Sequence, residues 1–326
     1  MADVPIAKEL DPRRRAALVA VQTLAVAAVY FAAGRLGLTR QLVVEGAIYT
    51  PIWPPTGVAL AAFLILGLRV WGGVALGALL VIASIATLRP VALVNVLGNT
   101  AAPVCACLML RGVGFSTRLE RLRDGLALVF LGAFAAMTIS ATAGVGVQVL
   151  TDRLPADDFW AVWLAWWVGD AMGVLIVTPV LLLLKDVRPP FRVGRWKEAV
   201  GLAAVTLVGV WIATHGRMSL LYLVYPLLIW AALSFQLVGS TLCALYASVM
   251  ATVAATDRTG PFTGLTQVEV MIKLQTFNGT TALTALLLSA VITEQLTMRR
   301  SVERACEELL EVLEHLTAGS SRPPPP

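Results

Sequence analysis

Charged residues are scarce in this 326-residue chain, at 14% of the total, whereas a soluble domain carries about 25%. Hydrophobic residues make up 58%, and the mean hydropathy is +0.80. A soluble core of this size cannot hide so many apolar side chains, and a disordered chain would contain far fewer of them. The composition therefore excludes a soluble or secreted enzyme and a disordered protein, and it predicts an integral membrane protein.

Cysteine and histidine are also rare, with four and two copies. Cys105 and Cys107 stand in an apolar stretch and would point to different faces of a helix, which offers no pairing scheme for a disulfide scaffold. His215 and His315 lie far apart and have no ligand partners at metal spacing. The sequence shows no nucleophile–base pair and no phosphate-binding glycine loop. It therefore predicts no enzyme activity, no metal site and no cofactor.

Ten hydrophobic segments approach the length of about 20 residues that a membrane helix needs. They favour an all-α, polytopic membrane protein with about ten transmembrane helices. Eight spans is the alternative count, because two of the segments are short and 219–256 could form one broken pair. The ten segments are residues 16–38, 52–68, 71–88, 91–110, 126–150, 159–184, 197–214, 219–235, 238–256 and 266–293.

Basic residues orient these spans. With a cytoplasmic N-terminus and ten crossings, 18 of the 25 Lys and Arg residues fall inside, while one outside loop carries Asp152, Asp157 and Asp158. This positive-inside pattern explains the pI of about 9.3 without a nucleic-acid partner. It predicts a plasma-membrane protein whose partner is the lipid bilayer and whose two termini are both cytoplasmic.

The same reasoning divides the chain into four parts. Residues 1–15 form a cytoplasmic N-terminal segment, 16–297 the integral-membrane domain, 298–318 a cytoplasmic helix, and 319–326 a flexible, proline-rich tail or linker.

The helix predicted at 298–318 carries an apolar stripe at alternating spacings of four and three residues, flanked by glutamates. This spacing is typical of a coiled-coil seam and favours a homodimer, although it continues for only about two heptads. An amphipathic helix lying on the bilayer is the alternative, which the acidic polar face disfavours. The seam residues are Val302, Cys306, Leu309, Leu313 and Leu316.

Polar residues inside the spans are the candidate functional groups. Asp170 lies near the middle of the sixth segment, where a carboxylate carries a penalty of about 2.5–3.5 kcal/mol. We expect it to be protonated, paired or facing a wet cavity, either as a ligand contact or as a packing contact between helices. Arg35 is the predicted partner, unless it extends to the membrane interface. Asn95 and Asn99 share one helix face and form either part of a site or an interhelical contact.

The second segment opens with Trp53-Pro54-Pro55-Thr56-Gly57. Prolines are tolerated at a helix start, and tryptophan suits a membrane interface. One interpretation is an anchored helix start. The other is a rigid re-entrant turn that lines a pocket together with a tryptophan cluster, which includes Trp166 and Trp167.

These motifs resemble the first type of membrane-associated sensor (MASE) domain, a bacterial integral-membrane input module found ahead of histidine kinases and cyclic-di-GMP enzymes. The resemblance covers about residues 16–297. It rests on the stretches Gly34-Arg35-Leu36-Gly37-Leu38, Trp53-Pro54-Pro55-Thr56-Gly57-Val58-Ala59-Leu60-Ala61-Ala62, Gly67-Leu68-Arg69-Val70-Trp71, Gly73-Val74-Ala75-Leu76-Gly77-Ala78 and Trp166-Trp167-Val168-Gly169-Asp170-Ala171-Met172-Gly173, and on Thr178-Pro179 and the region of Asn95 and Asn99.

The resemblance implies a sensory domain of the bacterial inner membrane. Such a domain would detect an unknown signal, with a partner membrane protein among the candidates, and would transmit it through its last helix. The receiver would be a cytoplasmic histidine kinase or cyclic-di-GMP enzyme, in cis or in trans. Two other functions stay open. One is a transporter or channel with Asp170 and the asparagines at a midplane site, and the other is a passive anchor that dimerises an effector.

Overall fold

Eleven α-helices and one short β-hairpin form most of the regular structure of the described residues. These are residues 12–44, 47–186, 195–216 and 219–320 of a computed structural model. Helices dominate because backbone groups in hydrocarbon must be satisfied within the segment. The elements are α1 Pro12–Gly37, β1 Leu42–Val44, β2 Ala47–Tyr49, α2 Pro54–Leu66, α3 Trp71–Ile85, α4 Pro90–Gly112, α5 Leu122–Ala127, α6 Ala136–Leu150, α7 Phe159–Met172, α8 Thr178–Asp186, α9 Trp196–His215, α10 Val224–Thr256 and α11 Gln267–Ser320.

The chain reverses direction at Gln236, inside α10. The backbone angles of this residue, φ 52° and ψ −134°, are not helical. A Cβ atom on Gly239 would lie 2.7 Å from the carbonyl oxygen of Ala231, whereas eight residues of straight helix span about 12 Å. Helix α10 therefore consists of two antiparallel halves. Near the reversal, the Ser234 hydroxyl donates to Glu198 at the start of α9, with 2.6 Å between the oxygens.

Eight helices of the described residues are long and apolar enough to cross a membrane. Two of them, Leu122–Leu150 and Ala156–Lys185, contain π-helical turns at Leu128–Ala135 and Gly173–Val177. These findings confirm the predicted helical, polytopic fold, and the number equals the alternative prediction of eight. Seven of the eight match one predicted segment each, the two halves of α10 match 219–235 and 238–256, and the shorter apolar helix α2 matches 52–68, so that each of the ten has a helical counterpart.

The β-hairpin is an element that the sequence analysis did not predict. Strands β1 and β2 pair antiparallel, with Leu42 opposite Tyr49 and Val43 opposite Ile48. Both strands contain β-branched residues, which suit extended backbone, but three residues per strand are too few to show a periodicity. The hairpin lies between α1 and α2 in the chain and contacts α7 and α11.

Buried apolar side chains form two large clusters. The first is built mainly by α1 to α8 and includes Phe63 and Met137, while the second is built mainly by α9 and α10 and includes Ala247. Helix α11 contributes to both, with Leu286 in the first and Leu274 in the second. The last helix therefore packs against both parts of the bundle.

Helix α11 is a single helix of 54 residues, which corresponds to a length of about 80 Å. The hydrocarbon core of a bilayer is about 30 Å thick. The last span and the helix predicted at 298–318 are therefore continuous, without a break at residue 297. Residues 1–11 of the predicted N-terminal segment and 321–326 of the predicted tail lie outside the described residues.

The predicted coiled-coil seam is exposed where the structure describes its side chains. Val302, Leu309 and Leu313 are 58%, 64% and 56% exposed, and Cys306 is exposed as well. The side chain of Leu316 lies outside the described residues.

We expect Gln236→Gly to stabilise the protein. Glycine adopts the positive φ of this position without strain, whereas other residues there cost about 1–3 kcal/mol. The apparent Tm in detergent should rise by a few degrees, at about 2–4 °C per kcal/mol. Gln236→Ala, which keeps a Cβ, should show no such gain. Equal melting temperatures for the two variants would argue against strain at this turn.

Candidate functional site

Three helices meet at the carboxylate of Asp170. This side chain is 1% exposed and lies on α7. The Thr56 hydroxyl of α2 donates to Oδ1 at 2.8 Å, and the Ser140 hydroxyl of α6 donates to Oδ2. Hydrogen bonds to a carboxylate are stronger than those between neutral groups, and they offset part of the cost of burying it. Asp170 therefore connects α2, α6 and α7 inside the bundle.

The predicted pairing of Arg35 with Asp170 is wrong. The Arg35 guanidinium donates instead to Ser84 Oγ at 3.2 Å, near the ends of α1 and α3. Hydroxyl groups take the place of the expected cation around Asp170. The spacing of residues along a helix gives their depth in the bundle but not the neighbour that they face, so sequence alone could not identify these partners.

Two glycines of α7 and its continuation allow the segment 50–57 to approach closely. The Trp53 amide donates to the Gly169 carbonyl oxygen at 2.9 Å. A Cβ on Gly169 would lie 2.6 Å from the Thr50 carbonyl oxygen, and one on Gly173 would lie 2.0 Å from that of Trp53. Small residues four apart are a common means of close packing between membrane helices. The motif Trp53–Gly57 is thus held directly against the backbone that carries Asp170.

A cavity of about 280 Å³ lies in front of this segment, where α3 ends and α4 begins. It is only slightly smaller than the usual range for small-molecule sites, about 300–1,000 Å³. Five of the predicted candidates line it, namely Trp53, Asn95, Asn99, Trp166 and Asp170. The other lining residues are Leu38, Gln41, Tyr49, Thr50, Val81, Ile82, Ile85, Ala86, Thr87, Arg89, Val91, Ala92, Arg153 and Gly169.

The remaining candidates are placed around the cavity rather than at its surface. Thr56 holds Asp170, as described. Pro54 and Pro55 face α1, where a Cβ on Gly37 or Gly34 would lie 3.0 Å or 3.5 Å from their rings. The remaining residue of the motif, Gly57, packs so closely on the Gly173 region that a Cβ there would lie 2.2 Å from the Gly173 carbonyl oxygen.

Trp167 faces away from the cavity. Its indole Nε1 donates to the Phe134 carbonyl oxygen at 2.8 Å, and its ring stacks on Trp163 with 5.8 Å between centroids. The two neighbouring tryptophans of the motif therefore have different surroundings, with Trp166 at the cavity and Trp167 among other aromatic rings.

The sequence analysis missed the charged residues at the cavity. Arg89 precedes α4 and Arg153 lies in the loop between α6 and α7, and both line the cavity. Asn95 adds an uncommon feature, because its Oδ1 is buried and has no hydrogen-bond partner among the described residues. The only sequence signal for the two arginines was their place among the few basic residues left on the predicted outer side.

The segment beside the cavity is also connected to α11. Gln275 Nε2 of α11 donates to the Pro51 carbonyl oxygen at 3.0 Å. Pro51 lies between Thr50 and Trp53, both of which line the cavity. A single short segment therefore contacts the cavity on one side and the last helix on the other.

Two charged residues at the start of α11, Glu269 and Lys273, bind neighbouring loop residues rather than each other. The Glu269 carboxylate accepts from the Thr266 amide at 2.7 Å, as in a capping box. Lys273 Nζ donates to the Pro261 carbonyl oxygen at 2.7 Å. The two side chains thus stabilise the helix start and the preceding loop separately.

Gly173→Ala should disturb the packing beneath the cavity, because the new Cβ would lie 2.0 Å from the Trp53 carbonyl oxygen. Overpacking of this kind costs about 1–3 kcal/mol, and we expect a lower apparent Tm in detergent. Gly201→Ala on α9 is the matched control, since nothing lies within 4 Å of its Cβ position. It should be neutral or slightly stabilising. A Gly173→Ala variant that melts with the control would contradict the close approach described here.

Comparisons with known proteins agree with the fold and its motifs. The probable diguanylate cyclase DgcE of Escherichia coli (strain K12) is 30% identical over 204 residues, a match that covers 57% of this chain and 17% of that protein. The chain thus matches less than a fifth of that relative's length. No solved structure matches the chain significantly. The MASE1 family profile matches residues 22–296, and the chain therefore belongs to the MASE1 family of membrane sensor domains.

Proposed function

We propose that this chain is a sensory input domain whose cavity receives a signal from outside the cell and whose last helix transmits it to a cytoplasmic output. The family supports the sensory role. The site of reception and the route of transmission are inferred from the contacts described above. The output is a signalling enzyme of the cyclic-di-GMP type, as the name of the relative in Escherichia coli suggests, or of the histidine kinase type that the family resemblance implies.

The orientation follows from the basic residues. Arg69 lies just before α3, and Ile85 at the other end of α3 lines the cavity. The arginines at 13–15 begin α1, and Arg299 and Arg300 follow the last span on α11. Because basic residues concentrate on the cytoplasmic side of plasma-membrane proteins, the cavity opens outward, and the start of α1 and the end of α11 face the cytoplasm.

The hydrogen bond between Gln275 and Pro51 is the observation that carries the proposal. An occupant that displaces Trp53 or Thr50 must either move Pro51 or break this bond. In the first case α11 moves with the segment, and in the second it loses a polar contact. Either outcome changes the relative stability of two arrangements of α11, which is the physical basis of signal transmission.

The packing below Asp170 favours a sensor over a transporter. Leu60, Phe63 and Val174 are fully buried in the first apolar cluster, so the cavity ends at a packed core. The exposed stripe on α11 also favours a sensor over a transporter, because a transporter needs no such surface. It gives the moving helix a surface, Val302 to Leu313, through which two copies dimerise as a coiled coil.

Oxidative cross-linking through Cys306 tests the dimer. Cys306 is exposed at the seam, whereas Cys107 and Cys243 are buried. In membrane vesicles, copper phenanthroline should link two copies through Cys306. The control combines Cys306→Ser with Arg304→Cys, which places the thiol on the other side of the helix and should give little product. Equal cross-linking from both positions would contradict a seam.

The same readout tests transmission. Ala92→Trp fills the cavity in place of a ligand, and we expect it to change the cross-linking rate of Cys306 at least twofold. Leu97→Trp is the control, because Leu97 also lies on α4 but is 67% exposed and does not line the cavity. In a Gln275→Leu background the effect of Ala92→Trp should vanish. An unchanged rate with Ala92→Trp, or an effect that persists without Gln275, would refute the proposed route.

A further inference from the structure

Basic residues on the outward side of this domain are exceptions to the charge distribution. Seven of the 25 Lys and Arg residues fall outside the cytoplasmic set, and six of them are described by the structure. Membrane proteins usually carry few cations on their outward side. The contacts of each of these residues therefore indicate its role. The six are Arg35, Arg40, Arg89, Arg153, Arg258 and Lys273.

Four of the six are engaged by the protein itself. Arg40 forms an ion pair with Asp257 at 2.6 Å, and Arg35 donates to Ser84, as described above. Arg258 Nη1 donates to the Leu265 carbonyl oxygen at 2.7 Å, and Lys273 donates to Pro261. These cations hold loops and helix ends together.

Arg89 and Arg153 differ from the other four. Within the described residues, neither side chain has a hydrogen bond or an ion pair, and both line the cavity. The single acidic residue of the lining is Asp170, whose two oxygens already accept from Thr56 and Ser140. The two free guanidinium groups therefore leave the cavity with unused capacity for an anion, and arginine is the side chain best suited to bind a carboxylate or phosphate.

The rest of the lining indicates what the anion is attached to. Trp53, Trp166 and Ile82 add apolar side chains to the lining. A molecule that meets both demands has an anionic group and an apolar or aromatic body.

We propose that the cavity binds a small, water-soluble organic anion with an apolar body, held by Arg89 and Arg153. This inference rests on the proposed sensory function and names the chemical class of the signal. The anion lies at the arginines, and the body lies against the tryptophans.

Thermal shift and calorimetry with three anions test the proposal on the full chain in detergent. The probes are phenylacetate, hexanoate and phenyl phosphate, and the matched uncharged and cationic molecules are phenylacetamide and phenethylamine. At least one anion should raise the apparent Tm with increasing concentration, because a ligand that binds only the folded state stabilises it. Phenylacetamide and phenethylamine should raise it much less. No shift from any of the three anions, or equal shifts from the uncharged and cationic molecules, would overturn the proposal.

Variants locate the binding. Arg89→Gln and Arg153→Gln should each weaken the affinity for the anion at least tenfold. Arg40→Gln removes the same charge from the outward side but leaves the cavity intact, and its affinity should match the wild type. An equal loss in all three variants would show a general effect of charge and overturn the assignment.

A lipid headgroup is the other source of an anion on an apolar body. In nanodiscs of phosphatidylcholine and of phosphatidylglycerol, the affinity for the soluble anion should be the same. Competition by phosphatidylglycerol would assign the arginines to a lipid and overturn the soluble ligand. Binding that leaves Cys306 cross-linking unchanged would refute the proposed transmission while the ligand class stands, so the two failures are distinguishable.

Discussion

A carboxylate inside a membrane protein must be supplied with donors, and this requirement organises the centre of the domain. Asp170 receives hydroxyl hydrogen bonds from Thr56 and Ser140, which lie on two other helices. An isolated charge at this depth would be penalised by several kcal/mol, so the three helices gain stability only in the arrangement that brings the hydroxyls to it. The position of Thr56 in turn fixes the segment that precedes it, and with it one wall of the cavity.

That segment has two faces, and the proposed function uses one for reception and the other for transmission. Thr50 and Trp53 line the cavity, while the Pro51 carbonyl accepts from Gln275 of α11. Helix α11 packs in both apolar clusters and continues as one helix to the exposed seam. Because a helix is stiff along its axis, a displacement near Gln275 reaches the seam without an intervening joint. In the proposed sensor, this continuity would let a cavity on one side of the membrane influence the seam on the other.

The sequence predicted the helices well because hydropathy and basic residues report on membrane position directly. It also proposed Asp170, Asn95 and Trp53 as candidates, since polar and aromatic groups are conspicuous in apolar segments, and the structure brings all three to one cavity. It could not predict partners: Arg35 lies at the wrong place to meet Asp170, and nothing in the chain marked Ser140. The short β-hairpin was also hidden, because it depends on tertiary contacts rather than on a local pattern, whereas the break predicted between 219–235 and 238–256 contains the reversal at Gln236.

Hydrogen exchange of the Asp170→Asn variant, followed by mass spectrometry, tests most directly whether the buried carboxylate holds the cavity wall and the last helix as one unit. If it does, amides across 50–57 and across 270–282 exchange faster together than in the wild type, while α9, which contributes no group to this site, is unchanged. Faster exchange confined to 50–57, with 270–282 as protected as before, would contradict the coupling on which the account depends.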